Sequence, residues 1–386
     1  MGFATVVFGL SILMHLYVGK RLLDPFVLSP RVARSAYALL LLHALAVPVV
    51  FSTLPSTGTW WADAVQQVGY VAMGFFSLVF VLLLFRDLGL LIFELVVRLV
   101  PLEAPVDPAR RTFLSQASSL LILGGAGLLG GAAWVQARRE PVVEEVSVPI
   151  EGLPPKLDGF RIVHISDLHA GSAVRADAFA AIVERINALG ADLVAVTGDL
   201  VDGSVEKLSR HVAPLAGLQS RHGTFFVTGN HEYYSGVEPW CAHCRDGLGM
   251  TVLNNAHATV DHEGETVVVG GVTDLRAGRM VPGHDSDPAA AFAGAPDALR
   301  ILLAHQPTSA YSARGQGVHL QLSGHTHGGQ YFPFTWLARL VLPFARGLHR
   351  VGSMWLYVNR GTTFWGPPMR LGAEQEITVL ELRSPA

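Results

Sequence analysis

The 386 residues exceed one ordinary domain, and with half of them hydrophobic the chain is too apolar to be purely soluble. A formal net charge of −3 gives no reason to expect nucleic acid as a bulk partner. The only two cysteines, Cys241 and Cys244, exclude a disulfide scaffold and a Cys-rich zinc module.

The apolar excess is concentrated in the first third, where residues 1–137 read as a transmembrane region of four helices. Residues 3–18, 36–51 and 68–85 are near-continuous apolar runs, about long enough to cross a bilayer with their flanks included. Lys20, Arg21, Arg31 and Arg34 follow the first run, residues 52–66 lack Lys and Arg, and Arg86, Arg98, Arg110 and Arg111 precede the fourth. The positive-inside rule puts the first and third of these loops in the cytoplasm and the Trp60-Trp61 loop outside. Residues 86–100, with Glu94 and Arg98 spaced i,i+4, read as a continuation of the third helix rather than another span.

The fourth span, 118–135, is mildly apolar and carries Gly124, Gly125, Gly127, Gly130 and Gly131. It follows Ala109-Arg110-Arg111-Thr112-Phe113-Leu114, which resembles a twin-arginine export signal. The other reading is an ordinary helix with an Arg-rich cytoplasmic end, its glycines packed on neighbouring helices. Both predict a multi-pass protein of the cytoplasmic membrane with its downstream domain outside; Arg138 and Arg139 pull the other way but are outnumbered.

Residues 138–158, charged and Pro-containing, read as a linker, and 159–386 as an α/β domain. Strands are predicted over 161–165, 193–197, 223–227, 266–272, 300–303 and 318–322, and amphipathic helices over 179–189 and 205–218.

Four of these strands run into polar turns that carry metal-ligand residues, and the 223–227 strand adds Asn230. The five turns are Asp167-Leu168-His169, Gly198-Asp199-Leu200-Val201-Asp202-Gly203, Gly229-Asn230-His231-Glu232, His305-Gln306-Pro307 and Gly324-His325-Thr326-His327-Gly328-Gly329-Gln330. The i,i+2 spacing of His325 and His327 leaves both side chains on one side of an extended segment. Oxygen and imidazole donors without thiolate suit Mn, Fe or Zn, and the set is large enough for two ions.

Taken in order, these motifs resemble the calcineurin-like metallophosphoesterases, and within them the membrane-associated, twin-arginine-exported phosphodiesterase branch that shares Gly-His-Thr-His-Gly-Gly-Gln. The resemblance covers roughly residues 145–385, including Gly361 and Gly366-Pro367-Pro368. It implies a four-layer β-sandwich flanked by helices with a binuclear metal centre at its edge. It also implies that Asp167, His169 and His327 hold one ion, that Asn230, His305 and His325 hold the other, and that Asp199 bridges them. His231 is then the catalytic residue near the leaving-group oxygen rather than a ligand. The chemistry implied is attack by a metal-bridging hydroxide on a phosphoester, a lipid-linked diester among the candidates.

Asp202 reads as a turn or supporting group rather than a ligand. Tyr233 and Tyr234, directly after the Gly-Asn-His-Glu loop, are candidates to line the substrate pocket. Trp240-Cys241-Ala242-His243-Cys244 lacks the strand context of a redox motif, although a local disulfide is compatible with a domain outside the cell. For the apolar stretch 331–344 core packing is the default, and a surface facing the bilayer is the functional alternative. A function of another class, a transporter or sensor with an extracytoplasmic phosphate-ligand-binding domain, needs ionisable groups inside the spans. Its candidates are His15 and His43, which more simply belong to span ends or helix interfaces.

Overall fold

The computed structural model describes residues 2–53, 59–99 and 107–385, which belong to two compact units. The first consists of four helices, α1 (Gly2–Leu23), α2 (Pro30–Thr53), α3 (Trp60–Leu99) and α4 (Pro108–Gln136). All four are long and apolar enough to cross a membrane. Leu10, Leu42, Val68 and Leu121 remain exposed along them, as suits helices whose neighbour is lipid. α3 runs unbroken to Leu99, so the stretch expected to continue the third helix does so; Val100 and residues 54–58 of the loop without Lys or Arg lie outside the described residues.

Several polar groups inside this unit find partners, although His43 Nε2 is buried without one among the described residues. His15 Nε2 lies 2.7 Å from His43 Nδ1, its Nδ1 lies 2.6 Å from the Ser11 carbonyl, and its ring stacks on Phe76 at 3.8 Å. Asp87 accepts from Tyr17 at 2.8 Å and pairs with Arg21 at 2.7 Å. The histidine pair thus sits at a helix interface.

In the second unit, the first half of the chain forms β1 (Val142–Pro149), β2 (Arg161–Ile165), α5 (Ala176–Asn187), β3 (Leu193–Val196), α6 (Val205–Val212) and β4 (Thr224–Phe226). Next come α7 (Asn230–Ser235), α8 (Val237–Ala242), β5 (Thr251–Val252), β6 (Ala256–His262), β7 (Glu265–Gly271) and α9 (Pro288–Ala291). The remainder is β8 (Leu299–Leu303), α10 (Ala310–Ala313), β9 (Leu320–Ser323), α11 (Phe334–Val341), β10 (Gly347–Val351), β11 (Met354–Val358) and β12 (Glu376–Arg383). Among the described residues the strands make two six-stranded sheets, ordered β1-β12-β2-β3-β4-β5 and β10-β11-β9-β8-β7-β6.

Four layers follow from strand alternation. In β3, Leu193 and Ala195 face the cluster between the sheets, which they share with Val267, Ile301, Leu303 and Leu320 of the second sheet. Val194 and Val196 point the other way, onto Phe179 and Ile182 of α5 and Leu208 of α6. The outer face of the second sheet packs Val268 and Leu302 against Ala291, Ala310 and Ala313. Strands covered on both faces are mostly apolar, which is why β2, β3, β7, β8 and β9 stand out in the sequence, with His164 of β2 and Gln321 of β9 among the buried polar exceptions.

Two segments depart from expectation. Residues 138–158, read as a linker, contain β1, which lies parallel beside β12 from Val142 opposite Glu376 to Pro149 opposite Arg383. Its β-branched Val142, Val143, Val146 and Val148 favour a strand, and the flanking charges and prolines mask that signal. The apolar stretch 331–344, whose default was core packing, folds into α11 with Trp336, Leu337, Leu340 and Val341 exposed. Cys241 and Cys244 are both free and buried.

Candidate metal centre

β2, β3 and β4 are mutually parallel, as are β8 and β9, so the turns after their last residues open on one edge of the sandwich. There Asp167, His169 and His327 each bring a ligand atom within 4.8 Å of the others, and Asp199, His305 and His325 do the same. His327 Nε2 lies 3.2 Å from His169 Nε2 and 3.4 Å from Asp167 Oδ1. His305 Nε2 lies 3.1 Å from Asp199 Oδ2 and 3.1 Å from His325 Nδ1. Asp199 Oδ2 is also 4.0 Å from His169 Nε2, so its carboxylate stands between the two groups. Asn230 opens α7 with its Oδ1 buried and unpaired among the described residues.

The residues fit divalent cations. His169 Nδ1 donates to Asp202 Oδ1 at 2.9 Å, which leaves the Nε2 lone pair aimed at His327 Nε2. The buried Asn230 Oδ1, unpaired among the described residues in the loop that packs on Asp199, is costly unless a cation or water meets it. Burial works against a charge on His305, yet the Asp199 carboxylate pushes its pKa up to about 10. A buried imidazole that holds its proton so firmly marks strongly negative potential, a demand that a divalent ion also meets.

The backbone is strained here and little elsewhere. Six of the eight non-glycine residues with positive φ among the described residues are Asp167, His169, Asp199, His325, His327 and Gln330. Close approach explains the glycines: a Cβ at Gly324 would overlap Ser166 Oγ and Asp167 Oδ2, and one at Gly229 would overlap the Asp199 carboxylate.

Supporting side chains hold the donors in place. Glu232, fully buried, accepts the Asp199 N–H at 3.0 Å, the Leu200 N–H at 2.7 Å and the Gly229 N–H at 2.6 Å, tying two motif loops together. Burial and the Asp199 charge push the Glu232 pKa up to about 7. Asp167 accepts the His325 N–H at 2.9 Å. Asp202 takes the Nδ1–H of His231 at 2.6 Å as well as that of His169, and so supports both rings. His169, Asp202 and His231 also meet as a third group that could hold an ion, but these hydrogen bonds account for their geometry. Burial opposes a charge on His231, but Asp199 and Asp202 push its pKa up to about 9; its Nε2 faces the centre, 3.9 Å from Asp199 Oδ2.

Every sequence-derived donor therefore lies at this edge. Of the two tyrosines, Tyr234 stands exposed with its ring 5.4 Å from that of His231, whereas the Tyr233 hydroxyl turns to His284 Nδ1 at 3.1 Å. Sequence reasoning missed Trp365, whose ring lies 5.4 Å from that of His231, and Arg370, buried with Nη2 3.0 Å from His327 Nδ1. Gln330 links Trp365 to the histidine turn by taking its backbone N–H at 2.9 Å and donating to its carbonyl at 2.9 Å. The Gln of Gly-Gly-Gln was the available signal.

A sequence model of the calcineurin-like phosphoesterases matches residues 160–329. A Danio rerio transmembrane protein with metallophosphoesterase domain is 41% identical over 259 residues, 64% of this chain and 59% of that protein. An uncharacterized metallophosphoesterase of Helicobacter pylori is 35% identical over 280 residues, 71% of this chain and 73% of that protein. YkuE of Bacillus subtilis, also an uncharacterized metallophosphoesterase, is 30% identical over 289 residues, covering 72% of this chain and 98% of YkuE. The chain spans less than two thirds of its animal relatives, 59% of the Danio rerio protein and 65% of the Bos taurus one.

Proposed function

Since the chain belongs to the calcineurin-like metallophosphoesterases, we propose that it is a membrane-anchored phosphodiesterase with two divalent ions, acting on diesters that include lipid-linked ones. Asp167, His169 and His327 hold one ion, Asn230, His305 and His325 the other, and Asp199 lies between them. The oxygen and imidazole donors favour Mn, Fe or Zn. Such ions, when bound, supply a water that ionises near neutral pH and neutralise charge on phosphoryl oxygens.

The chain's own groups do the rest. Asp202 fixes the His231 tautomer through Nδ1, so that Nε2 carries a proton toward the departing alkoxide. Trp365 and Tyr234 flank that ring and shape the approach to it. One observation carries this reading: Asn230 Oδ1 is buried without a partner among the described residues, in a loop whose neighbouring Gly229 and His231 both pack on the Asp199 carboxylate.

Four apolar helices support the anchor, and the loop arginines favour a catalytic domain outside the cytoplasmic membrane. The twin-arginine-like segment 109–114 suits a domain exported after it has folded around its ions. A chain held at the bilayer meets lipid-linked esters at high local concentration, which favours that substrate class.

The test is hydrolysis of phosphomonoesters, nucleotide diesters and lipid diesters by purified full-length protein with Mn²⁺, with bound metal counted. Turnover of diesters, lipid ones foremost, is expected; preference for monoesters overturns the substrate assignment. Asp199→Ala is expected to lose both ions, and wild-type metal content in that variant overturns the shared-carboxylate arrangement.

A further inference from the structure

α11 starts seven residues after His327 and turns its greasy side outward. Trp336 is 60% exposed, Leu337 54%, Leu340 84% and Val341 69%. At 100° per residue these four fall within one arc of about 140°, while Thr335, buried at 4%, faces the domain. The helix is held at its start, where the Phe332 N–H donates to the Leu371 carbonyl at 2.9 Å and Thr335 is buried. Its apolar side is therefore presented by a fixed scaffold, and eight residues are far too short to cross a bilayer.

Charge identifies the occupant. From Ala298 to Ala373 the sequence has no Asp or Glu; of its seven arginines Arg350 pairs with Glu151, Arg360 with Glu144 and Glu376, and Arg370 is buried, while Arg300, Arg314, Arg339 and Arg346 have no carboxylate partner among the described residues. Arg339 is exposed on α11, beside the apolar arc. An outward apolar face containing a tryptophan, bordered on the same helix by the exposed Arg339, matches the boundary of a bilayer bearing anionic lipid. Reach agrees: α4 ends at Gln136 and β1 begins at Val142, and the five residues between them span at most about 18 Å.

We infer that α11 is an interfacial anchor, lying in the plane of an anionic bilayer with Trp336, Leu337, Leu340 and Val341 in the acyl boundary. This rests on α1–α4 being inserted in the same bilayer. Because α11 follows the histidine turn through Gln330 and Tyr331, the anchor presents the metal centre to the membrane surface rather than to open solvent.

The test uses the full chain in nanodiscs of phosphatidylcholine and phosphatidylglycerol, with single nitroxides on Leu340→Cys, on Leu121→Cys of α4 and on the exposed Glu263→Cys. Cys241 and Cys244 are replaced by Ala. Collisions with dissolved oxygen and with a neutral water-soluble nickel chelate are compared at each site. Oxygen dominance at Leu340, like that at Leu121 and unlike Glu263, is expected. If Leu340 matches Glu263 while Leu121 reads lipid, the anchor is overturned and the membrane reading stands. If Leu121 also reads water, the membrane reading fails and takes the anchor with it. Dipolar broadening at Leu340 that disappears when unlabelled chain dilutes the spins means that a second copy covers the helix, which equally overturns the proposal.

Discussion

Glu232→Gln offers a sharp test of how the two motif loops are held together. The native carboxylate is fully buried and receives three backbone N–H groups, Leu200 on Oε1 and Asp199 and Gly229 on Oε2. With the glutamine oxygen in place of Oε2, two of those bonds survive, but the new NH2 faces the Leu200 N–H. The loss of one charge-assisted bond and the buried clash of donors cost about 2–4 kcal/mol. For a domain of this size that lowers Tm by roughly 5–15 °C, read by thermal unfolding of full-length protein in detergent. Metal affinity is expected to fall about 10–100-fold, because the Leu200 N–H next to Asp199 is no longer held and the loop that carries Asp199 loosens. Glu232→Ala strands all three donors at about 3–9 kcal/mol, comparable with a whole domain's stability, and is expected to prevent accumulation of folded protein. A Glu232→Gln protein melting within about 2 °C of wild type, well inside the predicted drop, would refute the argument that these three bonds join the loops.

His231→Ala is expected to keep its metal and lose about 10²–10⁴-fold in turnover of esters with poor leaving groups; loss of metal would make His231 a ligand instead. Gly324→Ala places a methyl into Ser166 Oγ and Asp167 Oδ2, so metal content should fall together with Tm, and an unchanged variant refutes the close approach. His164 is fully buried, with Nε2 2.8 Å from Thr197 Oγ1, and burial lowers its pKa to about 3. The unfolded chain therefore takes up this proton first, and the contribution is intact above the unfolded pKa of 6.5 and lost as pH falls below it. At pH 5 the loss is about 2 kcal/mol. His164→Gln should flatten the decline in Tm between pH 7 and pH 5, and an unchanged slope would rule this residue out as its source.

The parts legible in the sequence share a physical cause. β2, β3, β7, β8 and β9 are covered on both faces and so are mostly apolar, and the donors follow the ends of β2, β3, β8 and β9 in short turns. β1 was hidden because Glu144, Glu145 and the prolines around them resemble a solvated connector, although the strand is aligned by β12 more than two hundred residues later. Arg370 and Trp365 reach the centre through long-range packing rather than spacing, and no local pattern announces that. The exposure of α11 was invisible for a related reason: periodicity reports that a helix has an apolar side, not what covers it.

The order β1-β12-β2 has a consequence for biogenesis. β12 wedges between two strands that leave the ribosome more than two hundred residues earlier, so the first sheet keeps an open slot through most of synthesis. β2, whose end supplies Asp167 and His169, gains its second neighbour only once residues 376–383 emerge. Assembly of the ion cage is thereby coupled to translation of a late strand that contributes no donor to it, and chains interrupted before that point should stay protease-sensitive despite carrying all seven proposed ligands.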